Sequence, residues 1–184
     1  MKQIIVLSGS PTTYSHTALV LQQISDLLAY RGCNVKKVSV RDVEPETIFN
    51  ARFDDPQITS IVNDFKNADG IVIGSPVYKG SYTGVLKALI DLFPEDSFKG
   101  TPVLPVMVGG SSHHMLAIEY GLKPLLSALK GELLQGFYLL DKHVDKTSAP
   151  YVRNIDILQR IHKQIEQFIA EMDKNRSFVH VKSE

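Results

Sequence analysis

Hydroxyl side chains crowd the segment Ser8-Gly9-Ser10-Pro11-Thr12-Thr13-Tyr14-Ser15-His16-Thr17, which joins a short apolar run to an amphipathic stretch. A helix amino end follows at once, and its free N–H groups and dipole suit an anion. Ser10, Ser15 and Thr17 bring hydroxyl donors to that end, and His16 brings a partial charge. Absent motifs narrow the ligand. Without G-x-x-x-x-G-K-[ST], a triphosphate held with magnesium is disfavoured. Without G-x-G-x-x-G, so is a dinucleotide pyrophosphate. A single terminal phosphate, as in a mononucleotide, fits best. Ser15 serves equally well as a helix N-cap, which would leave the rest an ordinary polar loop.

Two further loops have ligand-binding composition. The first runs Gly74-Ser75-Pro76-Val77-Tyr78-Lys79-Gly80-Ser81-Tyr82-Thr83-Gly84. Pro76 has a fixed dihedral and no N–H, while Gly80 and Gly84 permit close backbone approach. Such a loop, with Tyr78 and Tyr82, can present amides and a ring to a planar heterocycle, or it can be a turn with exposed tyrosines. The second is Gly109-Gly110-Ser111-Ser112-His113-His114. Three such loops suit a mononucleotide bearing a large flat ring.

Other chemistries find less support. Neighbouring His113 and His114 would point about 100° apart on a helix, and no cysteine or carboxylate cluster accompanies them, so no metal site is expected. No G-x-S-x-G elbow and no acid–base triad is present, so no catalytic side chain is singled out. Cys33 reads as a packing residue, and Asp42 without a glycine fingerprint is a weak ribose signal.

The elements that must hold these loops alternate. Ile4-Ile5-Val6-Leu7 reads as a strand covered on both faces. A helix from Ser15 to about Arg31 follows, and then a strand over Val35, Val38 and Val40 near a sheet edge. Residues 41–56 read as irregular, and a helix covers 57–67. Further strands are expected at 70–74, 102–108 and 133–140. Helices carry Leu86 to Phe93, Met115 to Leu129, and Leu158 to Met172. This alternation predicts an α/β, flavodoxin-like three-layer sandwich with a five-stranded parallel sheet in the order 2-1-3-4-5. Ligands then lie beyond the carboxyl ends of the strands.

The 184 residues suit one domain, expected over 1–172, with a polar tail over 173–184 in which Ser177 to Val181 could add a strand or be disordered. Twenty basic residues balance twenty acidic ones. That balance argues against a nucleic-acid partner and against an acidic electron carrier. It also removes colloidal repulsion, so with apolar stretches such as Leu92-Phe93 and Leu116 to Leu126 a homodimer or homotetramer is expected. No run is long enough to span a membrane and no signal-peptide pattern opens the chain, so a cytoplasmic protein is expected.

The residues of the three loops resemble one family. Gly9-Ser10-Pro11 with Ser15-His16-Thr17, then Ser75-Pro76-Val77-Tyr78-Lys79-Gly80-Ser81, then Gly84-x-x-Lys87, are similar to the NADPH-dependent FMN reductases of the flavodoxin superfamily. Ala51-Arg52-Phe53-Asp54 and the stretch Leu122 to Lys130 resemble the members that supply reduced flavin to bacterial alkanesulfonate monooxygenase. Thr12 and Thr13 stand where an arginine is common, which bears on the tightness of phosphate binding. The resemblance implies hydride transfer from NADPH, or NADH, to FMN, and a flavin-dependent monooxygenase partner. By matching position, Ser10, Ser15, His16 and Thr17 would hold the FMN phosphate. Pro76, Val77, Tyr78 and Lys79, with Gly109, Gly110 and Ser111, would line the isoalloxazine ring. Two other readings share the fold: a quinone or azo-compound reductase that retains FMN, and a flavodoxin-type electron carrier.

One defect is expected in the helix beginning near His113. Pro124 has no N–H for the Tyr120 carbonyl, and Gly121 weakens the same turn. A kink or a widened turn of the π type should therefore fall within residues 117–124. The resemblance implies that this defect presents Tyr120 to a subunit interface and governs flavin release.

Overall fold

The computed structural model describes residues 1–181, with side chains described for 1–175. Strands β1 (Gln3–Ser8), β2 (Asn34–Ser39), β3 (Gly70–Pro76), β4 (Pro102–Gly109) and β5 (Glu132–Leu133) form a parallel sheet in the order β2-β1-β3-β4-β5. This is the flavodoxin-like arrangement. Strand β2 stands at the sheet's edge beside β1, and its polar residues reflect that position.

Alternation in the central strands sorts the core into two layers. Ile4 and Val6 face α1 (His16–Tyr30) and α6 (Ile155–Val181), packing with Leu21, Ile24, Ile165 and Phe168. Ile5 and Leu7 face the opposite layer, which holds α2 (Pro45–Phe49), α3 (Pro56–Lys66), α4 (Gly84–Ile90) and α5 (Lys123–Ala128). Leu92 and Phe93, expected to help assemble subunits, are core residues, as are Leu122 and Leu126. Phe93 packs against Phe65 of α3, with ring centroids 5.3 Å apart.

The fifth strand, expected as continuous, is broken into β5 and a sixth strand, β6 (Phe137–Leu140), both beside β4. Pro105 accounts for the break. The Leu134 amide donates to the Val103 carbonyl at 2.9 Å. In a parallel ladder the next bond would run from residue 105 back to residue 134, and a proline cannot give it. The chain detours through Gly136 (φ 68), whose amide turns to Gln164 Oε1 at 3.0 Å.

Two helices also differ from expectation. Helix α2 lies in the segment read as irregular, started by Pro45 at its first position. Helix α6 continues to Val181, so Ser177 to Val181 are helical and do not form a strand. Residues 182–184 of the expected tail lie outside the described residues. Among the described residues, no helix is long and apolar enough to cross a membrane.

Candidate functional site

The three loops leave the carboxyl ends of β1, β3 and β4 and are bonded to one another. The Gly9 amide donates to the Gly74 carbonyl at 2.7 Å, extending β1 against β3. The Thr83 hydroxyl donates to the Gly9 carbonyl at 2.6 Å while accepting from the Leu86 amide, so it caps α4 and tethers the first loop at once. The Val77 amide reaches the Val108 carbonyl at 2.9 Å, joining the second loop to β4.

In the first loop, buried Ser10 donates to the Thr12 carbonyl at 3.2 Å, shaping the turn from within. Ser15 is the N-cap of α1, its Oγ accepting from the Ala18 amide at 3.1 Å. The expected cap is therefore present, and that hydroxyl's acceptor capacity is partly used. Thr17 is different. It is 1 % exposed and its hydroxyl has no hydrogen-bond partner among the described residues. A buried hydroxyl without a partner is costly and uncommon. It stands on the first turn of α1 beside His16, where helix amides have no intrahelical acceptor.

The second loop closes as a two-residue hairpin. Tyr78 and Ser81 exchange backbone bonds of 2.8 and 3.1 Å. Lys79 (φ 51) and Gly80 (φ 79) occupy the tip, the two positive dihedrals of a type I′ turn. Pro76 and Val77 are partly buried, and Tyr78 and Lys79 are exposed on the rim.

Tyr138, on β6, fixes the third loop by donating its hydroxyl to the Ser111 carbonyl at 2.6 Å. Gly109 lies so close to that ring that any side chain there would strike the phenol. Burial pushes the Tyr138 phenol above its ordinary value, and the Asp141 carboxylate adds to the rise. Gly110 is exposed, and the Ser111 hydroxyl meets His113 Nδ1 at 3.0 Å. His113 and His114 form a short 3-10 turn, and among the described residues no group of three or more His, Cys, Asp or Glu could hold a metal.

The helix expected over Met115 to Leu129 is interrupted as its proline requires. Residues Ile118–Leu122 form a π turn, with the Lys123 amide donating to the Ile118 carbonyl five residues back. Pro124 thereby falls in the first turn of α5, where a missing N–H is no loss. Tyr120 stands 80 % exposed on this turn, next to exposed Met115 and Leu116. Gly121 packs against the second loop: a Cβ there would lie 3.0 Å from Ser81 Oγ and 3.7 Å from the Tyr82 ring.

The sequence thus located all three loops and the widened turn. It missed Thr83 and Tyr138, which tie the loops together. Thr83 carried a signal as a hydroxyl just before an apolar helix; Tyr138 carried none, because its partner lies 27 residues away.

Comparisons with known proteins give the family. The sequence profile of the NADPH-dependent FMN reductase family matches residues 2–145. An FMN reductase (NADPH) of Pseudomonas putida is 38% identical over 170 residues, spanning 90% of this chain and 85% of that protein. One from Escherichia coli is 38% identical over 143 residues, spanning 77% of this chain and 75% of that protein. Among solved structures, an NADH:FMN oxidoreductase (EmoB, apo form) superposes with a TM-score of 0.80 at 30% identity, covering 91% of this chain and 88% of that one.

Proposed function

The chain belongs to the NADPH-dependent FMN reductase family, an oxidoreductase using FMN and NADPH or NADH, and on that premise we propose that it treats FMN as a substrate and passes the reduced flavin to a flavin-dependent monooxygenase. The observation that carries this reading is Tyr120, exposed on a π turn that abuts the second loop through Gly121. The sequence resemblance to reductases serving alkanesulfonate monooxygenase supports it, and points to sulfonate sulfur assimilation as the setting.

The residues present fit FMN. The partnerless buried hydroxyl of Thr17 lacks the acceptor that a terminal phosphate provides. In this reading Thr17 and the first-turn amides at His16 and Thr17 hold the phosphate, while Ser15 keeps that turn in place as its cap and Ser10, its proton given to the Thr12 carbonyl, shapes the loop from within. Pro76 to Lys79 and Gly109 to Ser111 line the flat ring and exclude water from its edge. Bound FMN supplies the redox chemistry by accepting hydride from the reduced nicotinamide. The protein's part is position: the bonds at Thr83 and Tyr138 set the loops before the ligand arrives, which lowers the ordering cost of binding.

The exposed cluster Met115, Leu116 and Tyr120 supports a homodimer or homotetramer assembled on that turn. The need for reduced nicotinamide favours the cytoplasm as the place of work. The decisive experiment mixes purified protein with NADPH and excess free FMN. Many equivalents of FMN reduced per subunit are expected. Turnover appearing only when a quinone or azo compound is added would overturn the reading.

A further inference from the structure

The loop proposed to hold a dianionic phosphate contains no cation stronger than histidine. Between Lys2 and Arg31 the sequence has neither lysine nor arginine. Elementary electrostatics makes that a weak phosphate site unless charge comes from elsewhere. The fold brings one cation to the loop from the end of β2. Arg41 Nη1 donates to the Pro11 carbonyl at 3.2 Å, at the outer turn of the loop. Arg41 also lines an open cleft of about 380 Å³ with Thr12 and Thr13 of the loop, as do Asp42 and Lys37, whose ammonium is turned to Gln22 Oε1 at 2.6 Å. Among the described residues Arg41 enters no ion pair. The neighbouring Asp42 carboxylate instead accepts from the Ser39 amide at 2.8 Å. At Tyr14 of the same loop, Lys146 places its ammonium over the ring, 5.2 Å from the centroid.

We infer that Arg41 is the phosphate-reading cation of this site, supplied through space by the β2 end and responsible for preferring FMN over riboflavin. The inference rests on the FMN reading above. A planar guanidinium held against a loop carbonyl keeps donors to spare and is fixed where an incoming phosphate would feel it. The partnerless Thr17 hydroxyl is the independent sign that the loop awaits an anion.

The test titrates FMN and riboflavin against wild type, Arg41→Met, Arg41→Gln and Lys146→Met without nicotinamide, following flavin fluorescence at low and moderate salt. Folding is checked by circular dichroism and thermal midpoint. Met keeps the apolar stem and Gln keeps a polar head, and both remove the charge. For both Arg41 variants FMN affinity should fall about three- to tenfold, the effect of one partly solvated charge several ångströms away. Riboflavin should stay within about twofold, and the salt dependence of FMN binding should flatten. Lys146→Met should change FMN affinity less than either. Equal losses for both flavins would make Arg41 a mere loop support and overturn the inference, as would an FMN change under twofold. Wild type that binds riboflavin as tightly as FMN would instead sink the phosphate reading beneath it.

Discussion

The Thr83 hydroxyl sits 2.6 Å from the Gly9 carbonyl, so the residue that starts α4 also holds the loop that precedes α1. Thr83 is 1 % exposed, and no water can replace these bonds if they are lost. The first and second ligand loops therefore behave as one body, and the ligand meets a site whose parts are already joined.

Thr83→Val keeps the shape and removes both bonds, leaving the Gly9 carbonyl without that donor and the Leu86 amide uncapped. The expected loss is about 2–4 kcal/mol of stability, an unsatisfied buried group plus a lost cap. FMN and riboflavin should weaken together, because the change loosens the whole rim. Thr83→Ser should recover most of both. Denaturant unfolding and paired flavin titrations check this.

Ser15 and Thr17 should separate cleanly. Ser15→Ala removes a cap and should cost about 1 kcal/mol of stability. Thr17→Val replaces a hydroxyl that has no hydrogen-bond partner among the described residues, so stability should hold or rise. FMN affinity should nonetheless fall about tenfold in Thr17→Val, the worth of one charge-assisted hydrogen bond, while riboflavin is unaffected. A Thr17→Val protein that binds FMN normally would remove that hydroxyl from the phosphate site.

Local signals made much of this legible in the sequence. Apolar runs marked β1, β3 and β4, and Pro124 with Gly121 marked the π turn, because each cause and effect lie within a few residues. Effects acting across the fold were not legible. The break in the fifth strand arises from a proline in the neighbouring strand, and the Thr83 to Gly9 bond joins residues 74 apart. The same limit hid the burial of Leu92 and Phe93: their spacing showed an apolar face, but not that Phe65 of α3 packs against Phe93.

Tyr138→Phe should free the third loop. Losing one hydrogen bond of this kind costs about 0.5–1.5 kcal/mol, and both flavins should weaken by a similar factor. The pH dependence has a definite sign. Burial raises the folded pKa of this phenol above its unfolded value. Its contribution is therefore complete below the ordinary tyrosine value near 10 and is lost only as pH climbs through the higher folded value. The stability difference between wild type and Tyr138→Phe should stay constant from neutral pH to about 10 and shrink above it. A difference that fades between pH 7 and 9 would contradict the geometry.

Tyr120 offers the sharpest separation of fold from function. Its side chain is 80 % exposed, so Tyr120→Ala should change stability by no more than about 0.5 kcal/mol, as surface substitutions usually do. The turn beneath it is set by Pro124 and by the Lys123 to Ile118 bond, neither of which the substitution touches. The π turn should therefore survive. What changes is the surface it presents, one residue from the Gly121 contact with Ser81 and Tyr82 of the second loop. If that surface joins subunits beside the flavin, Tyr120→Ala should weaken assembly, purify with more flavin retained, and slow NADPH oxidation with free FMN. Light scattering, the absorbance of the purified protein near 450 nm and steady-state kinetics read the three effects separately. A wild-type species of only about 20 kDa at micromolar concentration would remove the interface. Unchanged retention and turnover in a well-folded Tyr120→Ala protein would leave the widened turn as packing forced by Pro124 and nothing more.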